Sequence, residues 1–228
     1  SLGCTQYNNL NSDFAFQEIA YCFEIMLILW QMSLLDYRSM STVNFQAVHD
    51  NIHQRQSIGH LVEPAPTHDQ LNIAFQAALT APDHHRLKPT QFFVIEGERR
   101  EAFGELLAEA IAEIGEMDLA QIDRVKNQPY RAPILVLAVT KFQDHPKVPL
   151  FEQTLSSGAA IQNFLLSMQA QGFSTMWRSG AVVESNLLKS ALDLTSRDLI
   201  SGIIYVGTAA KEIAPRAEID STQFVHYW

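Results

Sequence analysis

The sequence predicts one α+β domain in three layers, with long helices around a small sheet of about four strands. Two observations carry that expectation. From Val43 onward, helix-period and strand-like segments alternate, and one of them, Ile134–Phe142 (ILVLAVTKF), is a nearly continuous apolar, β-branched run of the kind that fills the middle of a sheet. Across 228 residues, 47 % are apolar and only 18 % charged, which suffices for a sizeable core and excludes a disordered chain. Sixteen Lys and Arg against 25 Asp and Glu leave a net charge of -9, spread along the chain. Nucleic-acid and anionic-membrane surfaces need clustered positive charge, so neither partner is expected.

The first forty residues differ from the rest. Both cysteines, Cys4 and Cys22, precede Met40, all eight histidines follow it, and Arg38 is the sole basic residue before it. We read residues 1–40 as foreign to the domain that occupies 41–228, as an extension or fragment ahead of a start at Met40. The other reading is a helix that packs on the domain or on a partner chain. The uncharged run Ile25–Leu35 is too short to cross a bilayer, which takes about 20 residues. With no basic region before it and no small-residue cleavage site after it, a secretory signal is not legible, and a cytoplasmic location is expected. The thiol-free main body excludes a disulfide framework, a Cys-ligated zinc and a cysteine nucleophile there.

In chain order, Thr67 and Gln70 form a capping-box pattern ahead of a helix whose apolar stripe is Leu71, Ala74, Phe75, Ala78 and Leu79. Pro82 closes it, because the residue before proline is pushed out of the α region. Gln91–Glu96 is a short β-rich run. Phe103, Leu106, Leu107, Ala110, Ile111 and Ile114 then recur at helical spacing. After the central strand, residues 154–171 read as a helix with Leu155, Ala159, Phe164, Leu165 and Met168 inward and Gly172 as its stop. Phe173–Trp177 reads as a strand, Ser185 as the cap of a helix through Leu192, and Leu199–Val206 as the last strand. The tail Lys211–Trp228 has no periodicity, yet it ends in Phe224, Tyr227 and Trp228, a terminus expected to dock, often on a partner subunit.

The ten glycines build neither G-x-G-x-x-G nor G-x-x-x-x-G-K, and there is no H-E-x-x-H or G-x-S-x-G. A phosphorylated cofactor would have to be held by Arg, Lys and Ser side chains. Three clusters have that chemistry. Arg55-Gln56-Ser57, at a helix-to-loop junction, offers an arginine fork and a hydroxyl suited to a phosphate dianion, although its spacing alone reads first as solvated surface. Ala81-Pro82-Asp83-His84-His85-Arg86 gathers polar groups where a helix breaks. Adjacent histidines in one loop rarely face one ion, and without a carboxylate pair or a spaced third histidine no metal site is expected. Trp177-Arg178-Ser179-Gly180 lies at the C-terminal end of a strand, the edge that ligands favour, though a Trp-Arg pair there is commonly just a stacked, half-buried pair.

The order and spacing of these clusters resemble the nitroreductase family of FMN-dependent oxidoreductases, most closely its compact YdjA-like branch. The matching pieces are R-Q-S…L-V-E-P-A-P-T (55–67), A-P-D-H (81–84), F-F-V-I-E-G (92–97), K-V-P…E-Q (147–153) and Q-G-F…W-R-S-G-A (171–181). The resemblance spans roughly residues 43–228 and leaves 1–40 without a counterpart. It implies a nitroreductase-like three-layer fold with a small antiparallel or mixed sheet, in an entwined homodimer that holds FMN between the subunits.

By position, the resemblance implies that Arg55, Gln56 and Ser57 lie along the FMN phosphate and ribityl chain, that Trp177, Arg178 and Ser179 complete the site, and that Thr80 and His84 reach the flavin from the partner subunit. The family commonly has a second arginine where Gln56 stands, a basic residue at His60, and in close relatives another at Thr80; fewer fixed charges here imply weaker FMN binding. Ser167, Met168, Gln169, Ala170, Gln171 and Gly172 match a region associated in relatives with nicotinamide dinucleotide, although on their residues they read first as a plain helix end. The implied activity is transfer of two electrons from NADH or NADPH through FMN to a small acceptor such as a nitroaromatic or quinone. The flavin carries the chemistry, so no catalytic acid, base or nucleophile is assigned; Arg178 and Ser57 are the candidates for electrostatic tuning. Enone reduction, dehalogenation or flavin processing on the same fold, and a non-enzymatic flavin-binding module, are the alternatives.

Overall fold

The computed structural model describes residues 44–115 and 118–228, so the expectations for residues 1–40 lie outside the described part of the chain. The chain divides into two units, Ser1–His49 and Asp50–Trp228, and the sheet with its helical layers belongs entirely to the second.

The elements in order are α1 (Phe45–Gln54), β1 (Leu61–Val62), α2 (His68–Ala78), β2 (Thr90–Glu96), α3 (Arg99–Ile114), α4 (Leu119–Lys126), β3 (Ile134–Thr140), α5 (Leu150–Ala170), β4 (Ser174–Arg178), α6 (Asn186–Ala191) and β5 (Leu199–Ala209). All strand pairs in the sheet are antiparallel. β5 is long enough to pair β3 along one side and, on the other, β4 and then β1, while β2 closes the far edge against β3. The sheet therefore has five strands rather than about four. The additional one, β1, is two residues long and is set by its partners Thr208 and Ala209 rather than by any apolar run of its own.

Each face of the sheet buries its own core. One face sets Ile134, Val136 and Ala138 of β3 with Ile204 and Val206 of β5 against Leu71, Ala74 and Ala78 of α2 and Ala160, Ile161, Phe164, Leu165 and Met168 of α5. The other sets Leu135, Leu137, Val139, Ile200, Ile203 and Tyr205 against Phe103, Leu107, Ala110 and Ile111 of α3 and Leu188 of α6. All seven residues of β3 are buried, as the uninterrupted apolar run requires. α2 starts at the predicted capping box, with the Thr67 hydroxyl accepting from the Gln70 N–H and the Gln70 side chain accepting from the Thr67 N–H. Ser185 likewise caps α6 by accepting from the Leu188 N–H.

Three predicted core positions face outward. Leu155 is 66 % exposed, because the first turns of α5 turn polar residues inward instead. There Gln153 bonds both ways with the main chain of Gln143, and the Ser157 hydroxyl accepts from Thr90. Leu79 and Ile114 are exposed at the last turns of their helices, where the stripe runs past the edge of the sheet. α4 has no counterpart in the sequence reading. The tail is irregular apart from one 3₁₀ turn at Ser221–Gln223, and Phe224, Tyr227 and Trp228 are exposed on the single chain.

Candidate functional site

Two of the three polar clusters come together at the β4 edge. α1 ends at Gln54 and the chain passes through Arg55–Ser57 alongside β4, where Ser57 forms a parallel bridge to Thr175 and the Ile58 N–H donates to the Thr175 carbonyl at 3.0 Å. Backbone groups alternate sides along a strand, so Trp177, two residues beyond Thr175, turns its own N–H and C=O toward the same outer edge. Side chains alternate between faces. Trp177 stands opposite Ile204 on the α2/α5 face, whereas Arg178 stands opposite Ile203 on the α3/α6 face. A planar ligand can meet both only by lying across the end or along the open edge of β4. Arg178 also lies close enough to Tyr205 to favour its phenolate, which partly offsets the burial that raises the Tyr205 pKa.

The segment after β5 folds back onto the same edge. The Ala210 N–H donates to the His60 carbonyl at 3.3 Å, Gln56 Nε2 donates to the Ala214 carbonyl at 2.7 Å, and Arg216 Nη2 donates to the Arg55 carbonyl at 2.5 Å. Between the two segments is a cavity of about 470 Å³, lined by Gln56, Ile58 and His60 on one side and residues 210–214 on the other. Burial first, and then the nearby Arg216 charge, lower the pKa of Arg55. The Arg216 charge acts against that of Arg55, and an anion beside the two would relieve the repulsion. Nothing in the sequence marks Arg216. It sits in a stretch without periodicity, and only the return of the chain after β5 brings it to Arg55.

Thr80 and His84 lie elsewhere, on the segment between α2 and β2, the strand at the opposite edge. The Thr80 hydroxyl donates to the Ala77 carbonyl at 2.7 Å. His84 Nδ1 pairs with Glu152 at 2.7 Å, and the His85 ring packs on His84 and on His145. Among the described residues no three His, Cys, Asp or Glu side chains are placed to hold a metal ion. Ser167–Gly172 form the end of α5. Met168 is fully buried, the Gln171 amide is engaged by the Gln70 and Ser167 carbonyls at 3.1 and 3.2 Å, and Gly172 takes φ +87° to end the helix. Met168 and Gln171 are thus occupied within the fold, while Ala170 and Gly172 are exposed.

The family model described as "Nitroreductase family" matches residues 52–208. An Escherichia coli (strain K12) protein named "Putative NAD(P)H nitroreductase YdjA" is 40 % identical over 175 residues, covering 76 % of this chain and 95 % of its own length. Among solved structures, a nitroreductase-like family protein from Bacillus cereus superimposes with a TM-score of 0.69 at 21 % identity, over 79 % of this chain and 95 % of that one. The FMN and NADPH-dependent nitroreductase NfnB from a Sphigopyxis strain superimposes with a TM-score of 0.63 at 16 % identity, over 79 % and 98 %. At these identities the structures establish a shared fold.

Proposed function

The chain belongs to the nitroreductase family, and we propose that residues 41–228 form an FMN-dependent NAD(P)H oxidoreductase acting on a small acceptor such as a nitroaromatic or quinone. The observation that carries this is the β4 edge, where Arg55 and Ser57 run alongside Thr175, Arg216 of the returning tail bonds the Arg55 carbonyl, and Gln56 lines a cavity of about 470 Å³. Two arginines and a hydroxyl on this short segment and the tail bonded to it are the residue types a phosphate monoester calls for. Gln56 adds a neutral amide where relatives carry charge, so the second cation comes from the returning tail.

In this reading Arg55, Gln56, Ser57 and Arg216 hold the phosphate end, and Trp177, Arg178 and Ser179 border the ring. Thr80 and His84 act from a second copy of the chain, in a cytoplasmic homodimer. FMN bound there would supply two-electron chemistry between the nicotinamide and the acceptor. The chain's part is to bind, to orient, and to set positive charge near the ring through Arg178. No described helix is long and apolar enough to cross a membrane.

The test has two steps. The purified full chain should be yellow, and its colour should bleach anaerobically with NADH or NADPH and return on adding a nitroaromatic or quinone. A colourless protein that takes up no FMN would sink the proposal, and a yellow protein that no nicotinamide bleaches would leave a passive flavin binder.

A further inference from the structure

β5 carries one residue more than β3 opposite it. Ala138 faces Gly202 and Val139 faces Ile200, so Ser201 has no partner and forms a bulge. Trp177 of β4 stands opposite Ile204, which makes Gly202 its diagonal neighbour on the same face. The indole folds over that glycine. A Cβ at Gly202 would stand 2.1 Å from Trp177 Nε1, 2.6 Å from its Cδ1 and 2.9 Å from the Arg178 carbonyl oxygen. No side chain fits, and φ of +152° independently favours glycine.

The bulge supplies the other half of the grip. Trp177 Nε1 donates to the Ser201 carbonyl at 3.0 Å, and the Ser201 hydroxyl is tied to Thr140 at 2.7 Å. Yet Trp177 is 40 % exposed and belongs to neither core cluster. A bulge, an obligatory glycine and a hydrogen bond together fix a side chain that the core does not use.

We propose that the Ser201–Gly202 bulge is a positioning device for the cofactor site, locking the Trp177 indole as a rigid aromatic wall for the planar conjugated ring system of the flavin. This rests on the FMN reading above. Ser201 and Gly202 touch no ligand themselves; they act through Trp177.

The experiment titrates FMN into the full-length wild type, Gly202→Ala, Trp177→Ala and the double variant, and records the visible circular dichroism of the bound flavin. Gly207→Ala is the control. It lies on the same strand, where a Cβ would press on Pro133 Cδ at 2.7 Å and on the Val62 carbonyl oxygen at 3.0 Å, away from Trp177. Gly202→Ala should weaken FMN about tenfold or more and change the dichroism, whereas in the Trp177→Ala background it should change affinity less than about twofold. Gly207→Ala should lower Tm and leave both flavin readouts alone. Equal losses in both backgrounds, or wild-type affinity and dichroism in Gly202→Ala, overturn the proposal. If Gly202→Ala does not fold, Trp177→Phe decides, since it keeps a ring but offers Ser201 no N–H. It should weaken FMN by about threefold or more and alter the dichroism, and no change in either overturns the proposal. Failure of the wild type to bind FMN defeats the cofactor reading and this inference with it; binding without response to Gly202 defeats the inference alone.

Discussion

At the β4 edge, the Arg55–Ser57 loop is stitched in place by main-chain bonds to Thr175 and by the returning tail. At the β2 edge, Thr80 and His84 sit on exposed turns held mostly by side chains. Glu152 binds His84, the Asp83 carboxylate accepts from the Lys88 N–H at 2.7 Å, and Gln143 donates to the Leu87 carbonyl. The backbone there enters the left-handed region at His85, Arg86 and Lys88, each costing about 1–2 kcal/mol. One edge is a rigid shelf that gathers arginines, and the other is a strained loop that presents histidine. They flank opposite edges of the sheet, with β4 beyond β5 on one side and β2 beyond β3 on the other. In the proposed site the two edges come from different copies of the chain.

The largest effect expected from that comparison is complementation. Arg55→Ala damages the β4 edge and His84→Ala the β2 edge, so in the proposed homodimer each single variant carries two defective sites. In a mixed dimer one site collects both defects and the other is intact. Random mixing makes half the dimers mixed, and at a flavin concentration that fills intact sites but not weakened ones, FMN occupancy should recover to about a quarter of the wild-type level. No recovery after co-expression would place both edges' contributions within a single chain.

Next in size are the arginines of the β4 edge. Arg55→Ala and Arg216→Ala should each weaken FMN by about tenfold, with a shallower salt dependence, since charge-assisted bonds are worth about 1.5–3 kcal/mol. Gln56→Arg restores the family pattern, and the sequence taken alone predicts about tenfold tighter binding. The fold reduces that expectation to about threefold, because Gln56 already spends its amide on the Ala214 carbonyl and Arg216 already supplies a second cation. Isothermal titration at low salt separates the two values. A tenfold gain would mean that Arg216 does not share the phosphate.

The same contrast governs what could be read from the residues. β3 was legible because its burial on both faces leaves an unbroken apolar run, and α2 and α6 because their caps are local hydrogen-bond chemistry. The β4 cluster was legible as residue types, and Ser57 was joined to it only by the bridge to Thr175. β1 is defined by pairing alone. Leu155 misled because apolar periodicity cannot show that Gln153 and Ser157 find buried partners. Gly202 did carry a signal, a glycine inside a strand pattern, which commonly marks a bulge or close approach. Arg216 carried none, since its position depends on where a non-periodic tail turns back.

The smallest expected effect concerns acid. Asp198 is buried among the loops that flank the β2-edge half: it accepts from the Thr195 N–H and hydroxyl at 2.9 Å each and from the Phe142 N–H at 3.0 Å, where β3 runs out toward His145. Burial pushes its pKa up, but those bonds and the Lys141 charge outweigh it and hold it below the ordinary value. A carboxylate with a depressed folded pKa contributes stability above its unfolded pKa, near about 4, and loses it as pH falls through the folded value. Asp198→Asn should therefore cost roughly 1–2 kcal/mol at neutral pH, and the gap from wild type should narrow as pH drops from about 5 to about 3. Urea midpoints across that range measure it. A gap that stays constant would mean that the Asp198 charge contributes nothing beyond its shape.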